Sequence, residues 1–382
     1  MVHKILTAVD ENSQQKAYAV ILSMVDWSQA FDRQSHYLGI KSFIGNGVRL
    51  SLIPVLINFF QGRQMTVKWK GIKSSPRPLN GGGSQGGTLG IIEYTSQSND
   101  NAEFVESDEK YKFIDDLSLI NVINMISQGL VSYNCKFHVP SDIATSNSFL
   151  PPENFESQSY LGKLSDWIEK KEMKLNVKKM KSMVINYTKK YQFNTRLHLE
   201  DYLLEQVWQA KLLGLILSDD LSWKDNTEFV VKKAYKRMTI LHNLFDFCVP
   251  RHELVNIYIL YIRSVVEQSC TVWHSSLTKG EKLDLERVQK VALRIIMKNE
   301  YVSYDNALKQ CNLKLLSERR ANLCLSFAKK CVKYEKTKDI FPLNEKARTT
   351  RVTEKYVVTS ANTNRLAVSA VPFMQRLLNC KR

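Results

Sequence analysis

Three aspartates carry the clearest chemical signal in the chain. Asp26 ends a nearly continuous apolar run, Tyr18 to Val25, which reads as a strand buried on both faces. Asp115 and Asp116 stand side by side in YKFIDDLSLIN, where apolar arms flank a tight hairpin whose turn is expected to carry both acids. Three carboxylates brought together on adjacent central strands repel one another and raise each other's pKa unless a divalent cation neutralises them. Mg²⁺ favours such hard oxygen ligands. Two ions held this way suit phosphoryl transfer, one activating an attacking hydroxyl and the other stabilising a leaving pyrophosphate. An Asp-Asp dipeptide alone is also what a solvated turn carries, so the meaning of the pair rests on its partnership with Asp26.

A second signal is a glycine segment. Six of the 15 glycines fall between Gly81 and Gly90, in Asn80-Gly-Gly-Gly-Ser-Gln-Gly-Gly-Thr-Leu-Gly. It lacks the Gly-Lys-Ser/Thr ending of a P-loop and is not a Walker motif. Glycines ahead of a helix let a backbone approach a base pair, sugar or phosphate closely, and a plain flexible loop has the same composition. Other chemistries find less support. The histidines lie in no H-E-x-x-H or nucleophile-elbow context. The seven cysteines form no C-x-x-C pair, which disfavours a disulfide framework or a zinc module and suits an intracellular, reducing setting, nuclear or cytoplasmic.

The elements that must position these residues follow from periodicity. The segments Gln34–Gly45 and Val48–Phe60 carry apolar residues at helical spacing around a Gly45-Asn46-Gly47 breaker, and Met65–Trp69 reads as a short strand. Residues 125–160 turn polar and proline-bearing, an irregular insertion. Leu161, Leu164, Ile168 and Leu175 share a helical stripe, followed by strand-like runs at Ser182–Tyr187 and Lys211–Leu217. Beyond residue 225 the period becomes helical and stays so, with Val230, Ala234, Met238, Leu241 and Phe245 as the first stripe. The expected class is α+β, with an α/β-mixed domain over 1–221, a helical domain over 222–335 and a basic polar tail over 336–382.

Composition bounds the partners. In 382 residues, 54 Lys and Arg against 38 Asp and Glu leave a net charge of +16, with 44% hydrophobic and 24% charged residues. That is a globular chain with a positive field, for which a polyanion is the first partner to consider. The longest apolar stretch, near Leu50–Phe60, is broken by Ser51, Pro54 and Asn58 and is too short to span a membrane.

Read together, Val25-Asp26-Trp27-Ser28-Gln29-Ala30-Phe31-Asp32, then Gly83-Ser84-Gln85-Gly86-Gly87-Thr88-Leu89-Gly90, then Phe113-Ile114-Asp115-Asp116 resemble the palm motifs of reverse transcriptases, with the non-long-terminal-repeat, LINE-like retrotransposons most similar. Leu175-Asn176-Val177-Lys178-Lys179 is similar to the fourth palm motif, and Leu212-Leu213-Gly214-Leu215 to the primer-grip hairpin. Ser264-Val265-Val266-Glu267, Val272-Trp273, Leu285 to Lys290 and Glu318-Arg319-Arg320 resemble the thumb and following segment. The resemblance covers residues 20 to about 335.

The resemblance implies a palm, an antiparallel sheet backed by helices, followed by a mostly helical thumb. It implies an RNA-directed DNA polymerase using two-metal nucleotidyl transfer, with Asp26, Asp115 and Asp116 as catalytic ligands of two Mg²⁺ ions, or Mn²⁺ in their place, and the carbonyl of Trp27 assisting. By the same carry-over, Phe31 is the steric gate against a 2′-hydroxyl, Gln85 and Gly86 line the nascent base pair, Lys179 lies near the incoming triphosphate, and Leu213 and Gly214 grip the primer. The implied partners are an RNA template, a DNA primer and deoxynucleoside triphosphates, with no membrane. Only about twenty residues precede the first palm motif, so the fingers read as N-terminally truncated. The glycine segment also lacks the family's Pro before Gln. The rival reading is therefore a catalytically dead nucleic-acid-binding remnant. A two-metal nuclease is a third reading; it shares the carboxylates but needs neither a gate nor a primer grip.

Overall fold

The computed structural model describes residues 1–13, 18–83, 87–99, 103, 110–124, 132–133, 156–186, 191–192, 197–199, 201–344 and 355–380. They divide into two compact units, one of residues 17–208 and one of residues 1–16 with 209–382. The division thus falls at Trp208/Gln209 rather than after residue 221, and the N-terminal segment belongs with the C-terminal half.

In chain order the elements up to Trp208 are α1 (Val2–Glu11), β1 (Tyr18–Val25), α2 (His36–Gly45), α3 (Ile53–Phe60), β2 (Gln64–Met65), β3 (Lys68–Trp69), β4 (Ile72–Lys73), β5 (Arg77–Pro78), α4 (Thr88–Gln97), β6 (Lys110–Phe113), β7 (Asp116–Asn124), β8 (Ser132–Tyr133), α5 (Glu156–Lys171), β9 (Lys181–Ile185), β10 (Tyr191–Gln192), β11 (His198–Leu199), β12 (Tyr202–Leu203) and β13 (Glu205–Gln206). The five-stranded sheet runs β13-β9-β1-β7-β6. Its pairings are antiparallel except for β13 on β9. β1 sits in the middle, and its apolar run is buried along nearly its whole length, as a strand covered on both faces must be. Ala19, Ile21 and Val25 pack with Leu117, Leu119 and Ile123 of β7, with Tyr94 of α4 and with Leu161, Leu164 and Trp167 of α5. The helices back the sheet through this shared core.

Three sequence expectations change here. The hairpin turn is Ile114-Asp115, because Phe113 pairs with Asp116, which opens β7. Leu175 lies beyond the end of α5 and instead bridges to Trp27. The insertion read as 125–160 falls mostly outside the described residues, but its last five residues, 156–160, are already the first turns of α5.

The second unit holds β14 (Gln209–Leu212), β15 (Leu215–Ser218), α6 (Lys224–Asp246), α7 (Arg251–Ile257), a π-helical turn at Tyr258–Arg263, α8 (Ser264–Glu267), α9 (Cys270–Trp273), α10 (Lys279–Met297), α11 (Tyr304–Gln310), α12 (Leu316–Lys333), α13 (Asn364–Ala367) and α14 (Ala370–Asn379). Val230, Ala234, Met238 and Leu241 are buried as their spacing requires, and so are Leu285, Val288 and Ala292. The C-terminal segment is not a plain polar tail. Met374 of α14 packs with Cys324 and Ala328 of α12, Phe341 and Tyr356, and Asp10 of α1 accepts hydrogen bonds from the backbone N–H groups of Asn362 and Thr363 at 2.9 and 2.6 Å.

Polar residues of the helical motifs hold this unit together. Arg319 donates from Nε and Nη2 to the two oxygens of Glu267 at 2.6 and 3.2 Å, a bidentate charge-assisted pair. Gln289, fully buried, accepts from the Tyr258 hydroxyl at 2.7 Å and donates to Lys314 O at 3.0 Å. Glu286 accepts from the N–H groups of Leu316 and Ser317 and so caps α12. Taken together, the described residues form an α+β fold, and none of their helices is long and apolar enough to cross a membrane.

Candidate active site

The register of the central strands places the acids. Val25 pairs with Leu117 in the last rung between β1 and β7, so Asp26 directly follows β1 and Asp116 opens β7. Like charges held this close disfavour each other's ionised form. Partial burial and the neighbouring Asp115 raise the Asp26 carboxyl, with Lys179 pulling the other way; burial, Asp115 and Asp26 raise that of Asp116.

The backbone that presents them is under strain. Ile114 adopts φ of 57° and Gln29 φ of 55°, a region that a β-branched residue such as isoleucine seldom enters and that persists only where the surroundings enforce it. Asp26 is fixed from the other side by the segment after α5: Asn176 N–H donates to Asp26 O at 2.9 Å and Ser28 N–H to Lys174 O at 2.8 Å. That segment continues into the turn Val177–Lys179, which brings the Lys179 ammonium within electrostatic reach of Asp26. Trp27 is buried, and its indole meets that of Trp167 edge-on at 5.8 Å.

Phe31 is partly buried and meets Tyr94 as a tilted ring pair, with centroids 4.9 Å apart and the planes 33° from parallel. Tyr94, on α4, was not singled out by its sequence context. Its hydroxyl is pushed well above the usual tyrosine range by burial and by the charge of Asp115, so it belongs to the same neighbourhood. Its place on the helix that the glycine segment opens is the one signal that marked it.

The glycine segment is latched to the loop after β1. Gly82 N–H donates to Gln34 O at 2.8 Å and Gly83 N–H to Phe31 O at 2.7 Å, while His36 bonds Gly82 O. Gly82 has φ of 88° and a Cβ there would meet Asp32 O at 3.1 Å, so glycine is required at this position. Gln85 and Gly86 lie outside the described residues.

Leu213 and Gly214 belong to the other unit. They form the two-residue turn of the β14–β15 hairpin, with φ of 48° and 83°, the geometry of a type I′ turn. The basic residues of α6 and the following helices are partly committed within the protein: Lys232 pairs with Glu228, Arg251 with Glu300, and Arg263 with Glu267. Trp223 and Trp273 are core residues, whereas Tyr235 is exposed.

The donor set of Asp26, Asp115 and Asp116 fits a divalent cation in its chemistry, being hard oxygens whose repulsion a cation relieves. The fit lies in that chemistry and in the strand register rather than in a closed cage, because among the described residues no three His, Cys, Asp or Glu side chains are grouped so as to hold a metal ion.

No protein-family model matches the chain. It is similar to a transposon polymerase. The relative is described as "Probable RNA-directed DNA polymerase from transposon BS" of Drosophila melanogaster; the two are 24% identical over 255 residues, which is 64% of this chain and 25% of that protein. The matched region therefore spans a quarter of the relative's length.

Proposed function

We propose that the chain carries the palm and thumb of a reverse transcriptase from a non-long-terminal-repeat retrotransposon, and that it extends a DNA primer on an RNA template. What supports this reading is that Asp26 follows β1 just past its last rung with β7, Asp116 opens β7, Asp115 sits in the adjoining turn, and the carboxylates and Lys179 lie within one another's electrostatic reach.

In this reading Asp26, Asp115 and Asp116, with the carbonyl of Trp27, hold Mg²⁺. When bound, the metal supplies charge neutralisation at the attacking and leaving oxygens of nucleotidyl transfer. The chain's own residues do the rest. Lys179 offers its ammonium to the triphosphate. Phe31, backed by Tyr94, closes the space beside the sugar and so excludes a 2′-hydroxyl. Gln85 and Gly86 line the new base pair, on a segment held down by Gln34 and the Phe31 carbonyl. Leu213 and Gly214 present a backbone turn to the primer end.

The open arrangement of the carboxylates favours one second reading, a remnant that binds nucleic acid without catalysis. Mg²⁺-dependent incorporation of a labelled deoxynucleotide on poly(rA) primed with oligo(dT) separates the two, since the remnant incorporates nothing.

A further inference from the structure

Between Asp32 and Glu93 the chain runs sixty residues without an acidic side chain, where its average of one acid in ten would place six. The same stretch carries eight cations: Arg33, Lys41, Arg49, Arg63, Lys68, Lys70, Lys73 and Arg77. Its centre is a two-stranded ribbon. The outer rungs pair β2 with β5 and the tip pairs β3 with β4, joined by a hydrogen bond from Ser74 N–H to Val67 O at 2.9 Å.

The ribbon has two unlike faces. Lys68 stands directly opposite Lys73, and Trp69 directly opposite Ile72. One face therefore pairs two ammonium groups, while the other offers an indole and an aliphatic side chain that are 72% and 75% exposed. The tip is Lys70-Gly71, with φ of 46° and 88°, so a lysine holds a place in a type I′ turn that Asn or Gly fills with less strain. Among the described residues none of Lys68, Lys70, Lys73 and Arg77 has a carboxylate partner.

Three features of this ribbon work against its own stability. Opposed like charges weaken a ladder, a two-stranded hairpin alone is marginal, and a left-handed lysine is strained. An anionic strand bearing flat rings relieves the first and covers the exposed indole. We propose that residues 63–79 form a docking element for unpaired nucleic acid, with a base stacked on Trp69 and backbone phosphates at Lys68, Lys70 and Lys73. This deepens the proposed function, on which it rests for the identity of the strand as template. An acidic bilayer is the competing partner for a basic, tryptophan-bearing ribbon, but it would meet the charged Lys70 tip first, with the apolar side chains behind it. Stacking and phosphate contact instead use both faces and the tip together.

The test uses the full chain and a fluorescein-labelled mixed-sequence 16-mer, as single strand and as blunt duplex, read by anisotropy with EDTA present. Trp69→Ala is expected to weaken single-strand binding about tenfold and to leave blunt-duplex binding within twofold, whereas Trp69→Phe retains most of the affinity. Lys68→Gln/Lys73→Gln is expected to lower the slope of log affinity against log salt by about 1–2. If the polymerase reading fails, the wild type extends no primer while these binding differences persist. The proposal is overturned if the ribbon variants bind the single strand as the wild type does, or if Trp69→Ala weakens single strand and duplex equally. It is likewise overturned if the variants lose only co-sedimentation with phosphatidylserine vesicles.

Discussion

The side-chain Oε1 of Gln34 occupies the space that a Cβ would need at Gly83. Gln34 is 2% exposed and cannot swing into solvent without disturbing its packing. Gly83→Ala should therefore cost about 1–3 kcal/mol through overpacking, and Gln34→Ala in the same chain should recover most of the loss. Urea unfolding of the two single variants and the double variant measures this coupling. Simple additivity of the two changes would show that the amide and the glycine do not constrain each other.

Glu93 is fully buried on α4, and neither of its carboxylate oxygens has a hydrogen-bond partner among the described residues. Burial pushes its carboxyl up to about 7, against the pull of Arg63. A carboxyl raised in the fold costs nothing below about pH 4.5, where it is protonated in both states. It then destabilises progressively up to about pH 7, as only the unfolded chain ionises freely. Glu93→Gln should thus match the wild type at pH 4.5 and exceed it by on the order of 3 kcal/mol at pH 8. A stability gap that stays constant with pH would refute this origin.

Phe31 meets Tyr94 as a tilted ring pair, and Tyr94 lies in the field of Asp115. If Phe31 is the sugar gate, Phe31→Ala should raise ribonucleotide incorporation relative to deoxynucleotide by tenfold or more while the variant remains folded. Single-nucleotide extension with dTTP and UTP gives the ratio, and an unchanged ratio would make Phe31 an ordinary packing residue.

Much of the sheet was legible in the sequence because its signals are local. The run Tyr18–Val25 reads directly as a doubly covered strand, and the acid pair between apolar arms reads as a hairpin. Register was not legible. Whether the turn held Asp115-Asp116 or Ile114-Asp115 depends on a left-handed isoleucine that no propensity favours. Beyond its place on the helix after the glycine segment, the role of Tyr94 was not legible, since its ring contact with Phe31 comes from long-range packing rather than periodicity. The half-buried pair Arg319–Glu267 and the buried pair Gln289–Tyr258 look like surface chemistry in one dimension and become structural only when the helices meet.

The central claim, that Asp26, Asp115 and Asp116 form one nucleotidyl-transfer site, is tested most directly by primer extension with the wild type and Asp115→Asn on an RNA template. The substitution removes one charge at nearly constant volume, so circular dichroism and primer-template binding should be unchanged. The account predicts Mg²⁺-dependent extension by the wild type and a loss of a hundredfold or more in the variant. Equal extension by both proteins, or none by a folded, template-bound wild type, would contradict it.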